Sequence, residues 1–295
     1  MRRLALVALV AFACGAATVQ PQTLSLGYKK GDTYKYSFHA VIKQTMGMSG
    51  MTIPVDVDMT ANESIVVNSV DSSGTADLAI TLSNMSIKTS AGGTTNTATG
   101  TPDTTVDVKV ASDGRITSLN GTTVGGGNPF TAFTGMGGFF LSAVLPANPV
   151  KVGDTWTKDY DQTNPDGTGA VHVTSKSKYL RDETVNGTKS AVVETTSSST
   201  IDTTIDMSKA AGAQSNTGLL PGGGQLQSIA IKGTVTSDVT TWIDPNGHRI
   251  VKSHQTGTDD ATMTINLSAS GAQSIPGLTG PISIKGDQTA DLKPA

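Results

Sequence analysis

Few residues of this chain could carry chemistry, and their spacing narrows what that chemistry would be. The single cysteine, Cys14, directly follows Ala11-Phe12-Ala13, a small-x-small cleavage pattern at the end of an apolar run. Cleavage there and acylation of Cys14 would make a bacterial lipoprotein. The leucine usual three positions earlier is replaced by Ala11, so ordinary cleavage nearby, giving a freely secreted protein, stays open. Lipidation or removal of Cys14 leaves no mature thiol, which excludes disulfides, thiol catalysis and cysteine-ligated zinc.

The four histidines are His39, His172, His248 and His254. The last two lie an even number of positions apart, which on a regular strand puts both on one face, but no third ligand stands at a zinc spacing. Surface strand histidines are expected. Asp159-x-Asp161-x-x-Asn164-x-Asp166-Gly167 has the carboxylate density of a calcium loop. Its glycine falls too late and no glutamate closes it, so a polar turn between strands is expected. Met46, Met48 and Met51 gather thioethers as a copper site would. They equally suit an apolar loop tip, tucked into the core or resting on a ligand or membrane. There is no G-x-S-x-G elbow, no G-x-x-x-x-G-K-[ST] and no dinucleotide fingerprint. With no nucleophile or acid/base constellation in view, the chain is expected to be no enzyme, with no catalytic residue, metal or cofactor assigned.

Hydrophobic recognition remains. Phe130, Phe133, Phe139 and Phe140 place four of the six phenylalanines in one Gly-rich segment. Pro129 near its start, and Phe130, Phe133, Phe140, Leu141, Val144 and Leu145 at helix-like spacing, predict one short apolar helix near 129–145, ended by Pro146 and Pro149. Gly135, Gly137 and Gly138 each weaken it by about 1 kcal/mol relative to alanine. Two roles compete: a core helix plugging a sheet, and a movable lid over a cavity. In the second, the four phenylalanines together with Met46, Met48 and Met51 are the candidate ligand contacts.

The elements that must position these residues are strands. Tyr34, Tyr36, Phe38, Ala40 and Ile42 alternate with polar residues, the period of a strand with one buried face. The same alternation runs through Ala76, Leu78, Ile80 and Leu82, through Val106, Val108 and Val110, through Ile229 to Ile243, and through Ala261 to Leu267. Residues 89–105 have no periodicity and predict a loop; Ile282 and Ile284 in the Pro/Gly-rich tail predict an added edge strand. These runs exceed the usual strand of about 3–10 residues, and a wide sheet of long strands curls.

One signal occurs twice. Lys30-Gly31-Asp32-Thr33-Tyr34 returns as Lys151-Val152-Gly153-Asp154-Thr155-Trp156. The turn at Val70 to Gly74 returns as Val185-Asn186-Gly187, and Ser112-Asp113-Gly114-Arg115-Ile116 returns within Asp244 to Ile250. The kept order predicts a tandem duplication. The fold expected is all-β: two pseudo-repeats, 24–146 and 147–295, in one integrated domain. They would form one curled antiparallel sheet or barrel-like sandwich, apolar inside and hydroxyl-bearing outside.

Before the repeats, Met1-Arg2-Arg3 and the apolar stretch Leu4 to Ala13 form a signal peptide over 1–13, far short of the roughly 20 residues that span a bilayer as a helix. Residues 14–23 read as a tether. Charged residues make up 15% of the chain, against about 25% in ordinary soluble domains. The net charge of −3 becomes more negative once Arg2 and Arg3 leave, which removes nucleic acid as a partner.

At Val152-Gly153-Asp154-Thr155-Trp156 the chain resembles uncharacterised bacterial exported proteins. In these a signal or lipoprotein leader precedes all-β repeats opened by G-D-[ST]-aromatic after a Pro-containing segment, here Leu145-Pro146 to Pro149. The likeness would cover most of residues 24–267. The long strands with one apolar helix also look like the curved-sheet carriers that shuttle lipoproteins or lipids across the periplasm. That resemblance implies lipid binding, though no carrier motif matches position by position and no binding residue carries over. The expectation is an exported, monomeric, non-enzymatic protein of the cell envelope. It would be membrane-anchored through Cys14 or secreted, and would bind a lipid or other hydrophobic ligand in a concave sheet. The alternative is a surface or structural interaction module with no small-molecule ligand.

Overall fold

The computed structural model describes residues 20–48, 50–120, 141–163, 170–206, 226–267 and 280–295. The leader, Cys14, and Phe130, Phe133, Phe139 and Phe140 lie outside them. Twelve strands follow the alternation: β1 Thr33–Met48, β2 Met51–Val70, β3 Ala76–Ala91, β4 Thr94–Thr99, β5 Thr104–Val110, β6 Ile116–Asn120, β7 Thr155–Thr163, β8 Ala170–Val185, β9 Thr188–Asp206, β10 Leu226–Asp244, β11 Arg249–Leu267 and β12 Ile282–Pro294. They form a single antiparallel sheet in the order β6-β5-β3-β2-β1-β12-β11-β10-β9-β8-β7, with β4 paired to the distal part of β3. The all-β expectation holds, as one open sheet rather than a sandwich.

Strands of 16 to 20 residues such as β1, β2, β9, β10 and β11 accumulate twist and roll the sheet. The roll brings the two free edges toward each other. Among the described residues no ladder joins β6 to β7, and side chains meet there instead. The Asp113 carboxylate in the β5–β6 turn accepts from Lys158 on β7 and pairs with Arg115 at 2.9 Å. The Arg115 guanidinium lies 5.1 Å from the ring centroid of Tyr160. Burial pushes the Asp113 carboxyl up, but hydrogen bonds from Lys158 and Arg115 outweigh it and hold it below the usual carboxylate range.

Two strand expectations change. Ile282–Pro294 is not an edge: β12 lies at the middle of the sheet between β1 and β11, twelve residues of β1 facing it from Tyr36↔Pro294 to Gly47↔Ser283. Residues 94–99, within the expected loop, form β4, an exposed all-polar strand apart from Ala98. Its Thr and Asn side chains carry no apolar alternation because neither face is covered.

The described end of the predicted helix is also different. Leu141–Leu145 is extended, and among the described residues there is no helix. Leu141, Ala143, Val144 and Leu145 are buried beneath the sheet. An extended segment so buried must find partners for its amides. Ala143 N donates to Thr241 Oγ1 at 2.8 Å, Val144 N to Thr195 Oγ1 at 2.9 Å, and Leu145 N to the Asp113 carbonyl at 2.8 Å. The Trp156 indole N–H donates to the Val144 carbonyl at 2.9 Å. Hydroxyls therefore face inward as well as outward: Ser175, Ser177, Ser190, Thr195, Thr241 and Ser253 are all buried.

The two G-D-T turns have the same geometry. Gly31 and Gly153 adopt φ of 90° and 96°, the left-handed region that favours glycine. Gly31 N donates to the Val67 carbonyl at 2.9 Å and Val67 N returns a bond to Asp32 at 3.0 Å. Gly153 N donates to Tyr179 at 2.8 Å and Tyr179 N returns to Asp154 at 3.0 Å. Ahead of the first turn, Gln22 pairs antiparallel with Val150, Leu26 N donates to Ser112 and Gly27 N to His248. Leu24, Leu26 and Tyr28 are thereby laid into the main core.

Candidate functional site: the concave face

The inner wall consists of every second residue of each strand. At one end these residues join Leu24, Leu26, Tyr28 and Leu141–Leu145 in a large core that draws on both halves, from Tyr36, Ile65 and Leu78 to Tyr179, Val193 and Ile243. At the other end Ile201, Ile229, Ile231, Ala261, Met263, Ile282 and Ile284 form a second cluster, with Met46 packed against it. Between the two, the described residues leave the wall only partly covered. Ile42, Ile53, Val55, Val57, Met59 and Ile87, on β1, β2 and β3, are only half-buried although all face inward. They make an apolar strip connecting the main core, against which Met59 rests, to the second cluster.

Besides the buried hydroxyls, Gln44, Glu63, Gln255 and Asp259 interrupt this wall at inward positions. Gln44 stands in phase with Ile42 and Met46, Asp259 with Ala261 and Met263, Glu63 with Ala61 and Ile65. All are buried. Among the described residues both Glu63 carboxylate oxygens lack a hydrogen-bond partner. Glu63 sits between Tyr36 on β1 and Leu82 on β3, and burial alone pushes its carboxyl up to about 8. Burial also raises Asp259; a hydrogen bond from the Gln44 side chain acts in the opposite direction, and the charges of Asp287 and Asp260 add to the rise. Sequence parity could have found Gln44 and Glu63, because each breaks an otherwise apolar alternation, whereas Asp259 follows Ser253, Gln255 and Gly257 on its own face.

Of the candidate ligand contacts read from the sequence, Met46 touches the second cluster and Met51 at the β1–β2 tip is 56% exposed. Met48 pairs with Met51 through the backbone. The four phenylalanines fall outside the described residues, and so does Asn164 to Gly167 of the acidic loop. His39 bonds Asp58 at 2.9 Å, His172 bonds Asp161 at 2.9 Å and His254 bonds Asp291 at 3.0 Å, all on the outer face. His248 does not share a strand face with His254. It lies in the β10–β11 turn at φ 50°, its Nδ1 3.3 Å from the Ser25 hydroxyl. Among the described residues no three His, Cys, Asp or Glu side chains gather as a metal site would require.

A cleft of about 290 Å³ opens on the outer face, lined by Ser37, His39, Thr60, Asn62, Asn84, Asp291 and Lys293 among others. It marks a fault in the sheet. The β2–β3 register shifts between Thr60 and Asn62, and Asn84 takes φ 51° there.

The fold and the inner wall thus define an all-β protein built on one open, rolled sheet with a partly covered apolar lining. No protein-family model matches this chain, and no curated protein matches it. Among solved structures it is similar to a chain described under lipid–protein interactions in lipovitellin, at 13% identity and a TM-score of 0.46, over 91% of this chain. It spans 26% of that chain. At that level of likeness, whether the sheet takes a ligand has to be argued from this chain's own residues.

Proposed function

We propose that this is a non-enzymatic protein of the cell envelope that binds a lipid or another hydrophobic ligand along the concave face of its sheet. The observation supporting this reading is the strip Ile42, Ile53, Val55, Val57, Met59 and Ile87, which faces inward yet keeps part of its surface in water. Each Å² of apolar surface so left forfeits about 25 cal/mol, which an acyl chain laid on the strip would recover. Export through the leader, anchoring by an acyl group on Cys14, a monomeric state and descent of the two halves from one duplicated unit belong to the same proposal. The matching hydrogen bonds of the Gly31 and Gly153 turns support the duplication.

Native mass spectrometry of the protein purified from membranes tests the reading. It should report an acyl group on Cys14 and a co-purified lipid, and Val57→Asp should release the lipid while leaving the acyl group. A folded wild-type protein that carries no lipid and binds no fluorescent acyl probe would end the proposal. That result would favour the surface interaction module, for which the exposed edge of β4 is the supporting feature.

A further inference from the structure

We propose that the concave face takes a facial amphiphile: a rigid, uncharged lipid with hydroxyls along one side and hydrocarbon along the other, as in a polyhydroxylated polycyclic skeleton. The proposal rests on the ligand-binding reading above and adds to it the ligand's shape and chemistry. Its basis is the row of inward residues midway between the two core clusters. From β9 to β2 the ladders set Ser197, Ser237, Gly257, Gln288, Ile42 and Val57 side by side. The row changes character once, between Gln288 and Ile42. On the β1–β2 side it belongs to the apolar strip. On the β9–β12 side it holds two serines, a glycine and an amide. Ser197, Ser237 and Gln288 are only half-buried, as is Ser199 at the next inward position of β9. The roll that carries Lys158 on β7 to Asp113 in the β5–β6 turn sets this polar wall opposite the strip.

Side-chain size makes the room. The clusters at either end fill the roll with Tyr179, Ile243 and Leu292 on one side and Ile231, Met263 and Ile284 on the other. Serine and glycine in the middle leave that width unfilled. Gly257 also shapes the wall: a Cβ there would stand 3.0 Å from Gln288 Nε2 and 3.2 Å from its Cγ, so the Gln288 amide lies over β11 toward Ser237. A serine hydroxyl donates and accepts, and an amide offers both, so each group can meet a ligand hydroxyl in either sense. Neighbouring strands lie about 5 Å apart, and the wall presents polar groups on several of them. A single head group meets one such group, whereas an edge bearing several hydroxyls meets them together. A plain acyl chain would cover the strip but would take water from the serines and the amide without replacing it. Charge on the ligand gains nothing here: Lys158, the cation further along the same row, is already engaged by Asp113.

The test uses the full chain and three uncharged probes, each titrated against a displaceable fluorescent acyl lipid. Methyl cholate carries its hydroxyls on one side of its rings, methyl cholanate has the same rings without hydroxyls, and methyl palmitate is a plain chain. Methyl cholate should bind about tenfold more tightly than methyl cholanate, the effect of one well-made buried hydrogen bond. The double variant Ser197→Ala/Ser237→Ala should erase that preference and leave methyl cholanate binding unchanged. Thr236→Ala, which removes a hydroxyl of β10 from the outer face, should preserve it; near-UV circular dichroism shows that both variants are folded. Equal binding of the two cholanes to wild type, a preference that survives the double variant, or binding of methyl palmitate alone would overturn the facial ligand while leaving the apolar strip standing. Failure of every probe to bind would overturn both.

Discussion

Replacing Glu63 by glutamine should change how the stability of this protein depends on pH. Glu63 is 2% exposed on the inner wall of β2, and among the described residues neither of its oxygens has a hydrogen-bond partner. Its burial raises the carboxyl from the ordinary 4.5 to about 8. Between those values the folded protein holds a proton that the unfolded chain releases, so stability falls as pH rises, by about 1.4 kcal/mol per pH unit. The penalty is absent below the unfolded value and complete above the folded one, where it reaches about 5 kcal/mol; near neutrality it is about 3 kcal/mol. That is a large share of the roughly 5–15 kcal/mol by which domains are stable. Glutamine keeps the shape and removes the ionisation, and methionine removes the unpaired oxygens as well. Urea unfolding of wild type, Glu63→Gln and Glu63→Met at several pH values from about 5 to about 8 measures the slope. The wild type should lose stability steadily across this range relative to both variants. Parallel curves would show that the carboxyl ionises freely or finds a partner, and the account of Glu63 as an isolated buried acid would be refuted.

Three further changes have expected outcomes. Gly31→Ala and Gly153→Ala should each cost about 1–2 kcal/mol in urea unfolding, and by similar amounts, because both positions need positive φ, while nothing lies within 4 Å of an added Cβ at either. Thr241→Val and Thr195→Val each leave a buried amide of the 141–145 segment without its acceptor. Each should cost about 1–3 kcal/mol, and hydrogen exchange should quicken at Ala143 and Val144 respectively. Asp113→Asn removes a carboxyl held below its usual range, whose stabilisation is present above the unfolded value and lost as pH falls through the lowered one. The variant should lose the acid-side decline in stability that the wild type shows, as read by thermal unfolding across the carboxylate range.

The long strands were legible because alternation is strict where one face is covered: Tyr34 to Ile42 and Ala76 to Leu82 run as read. The glycine turns were legible because Gly-Asp and Asn-Gly have conformational reasons to be where they are. The extended plug was not, since Leu141, Val144 and Leu145 are buried by surroundings on several sides, and a segment covered all round has no face for a period to reveal. The inward hydroxyls escaped for a related reason. Thr195 and Thr241 look like solvent-facing strand residues until the amides of Ala143 and Val144 are laid against them. Of the concave site, only the Ile42 end of the apolar strip was legible, at the close of the Tyr34 to Ile42 alternation, whereas the meeting of Gln44 and Asp259 depends on a pairing across β12. Pairing between residues more than two hundred positions apart leaves no local trace.

The placement of β12 also bears on when the protein can fold. A nascent chain extends β1 and then β11 with no neighbour to join them, and only the emergence of residues 282–294 supplies the ladder that both await. Until then each half carries a long unpaired edge, the kind of margin that recruits chaperones or other chains. β12 is the keystone of the arch, and a chain interrupted before it would leave β1 and β11 each without the ladder that joins them.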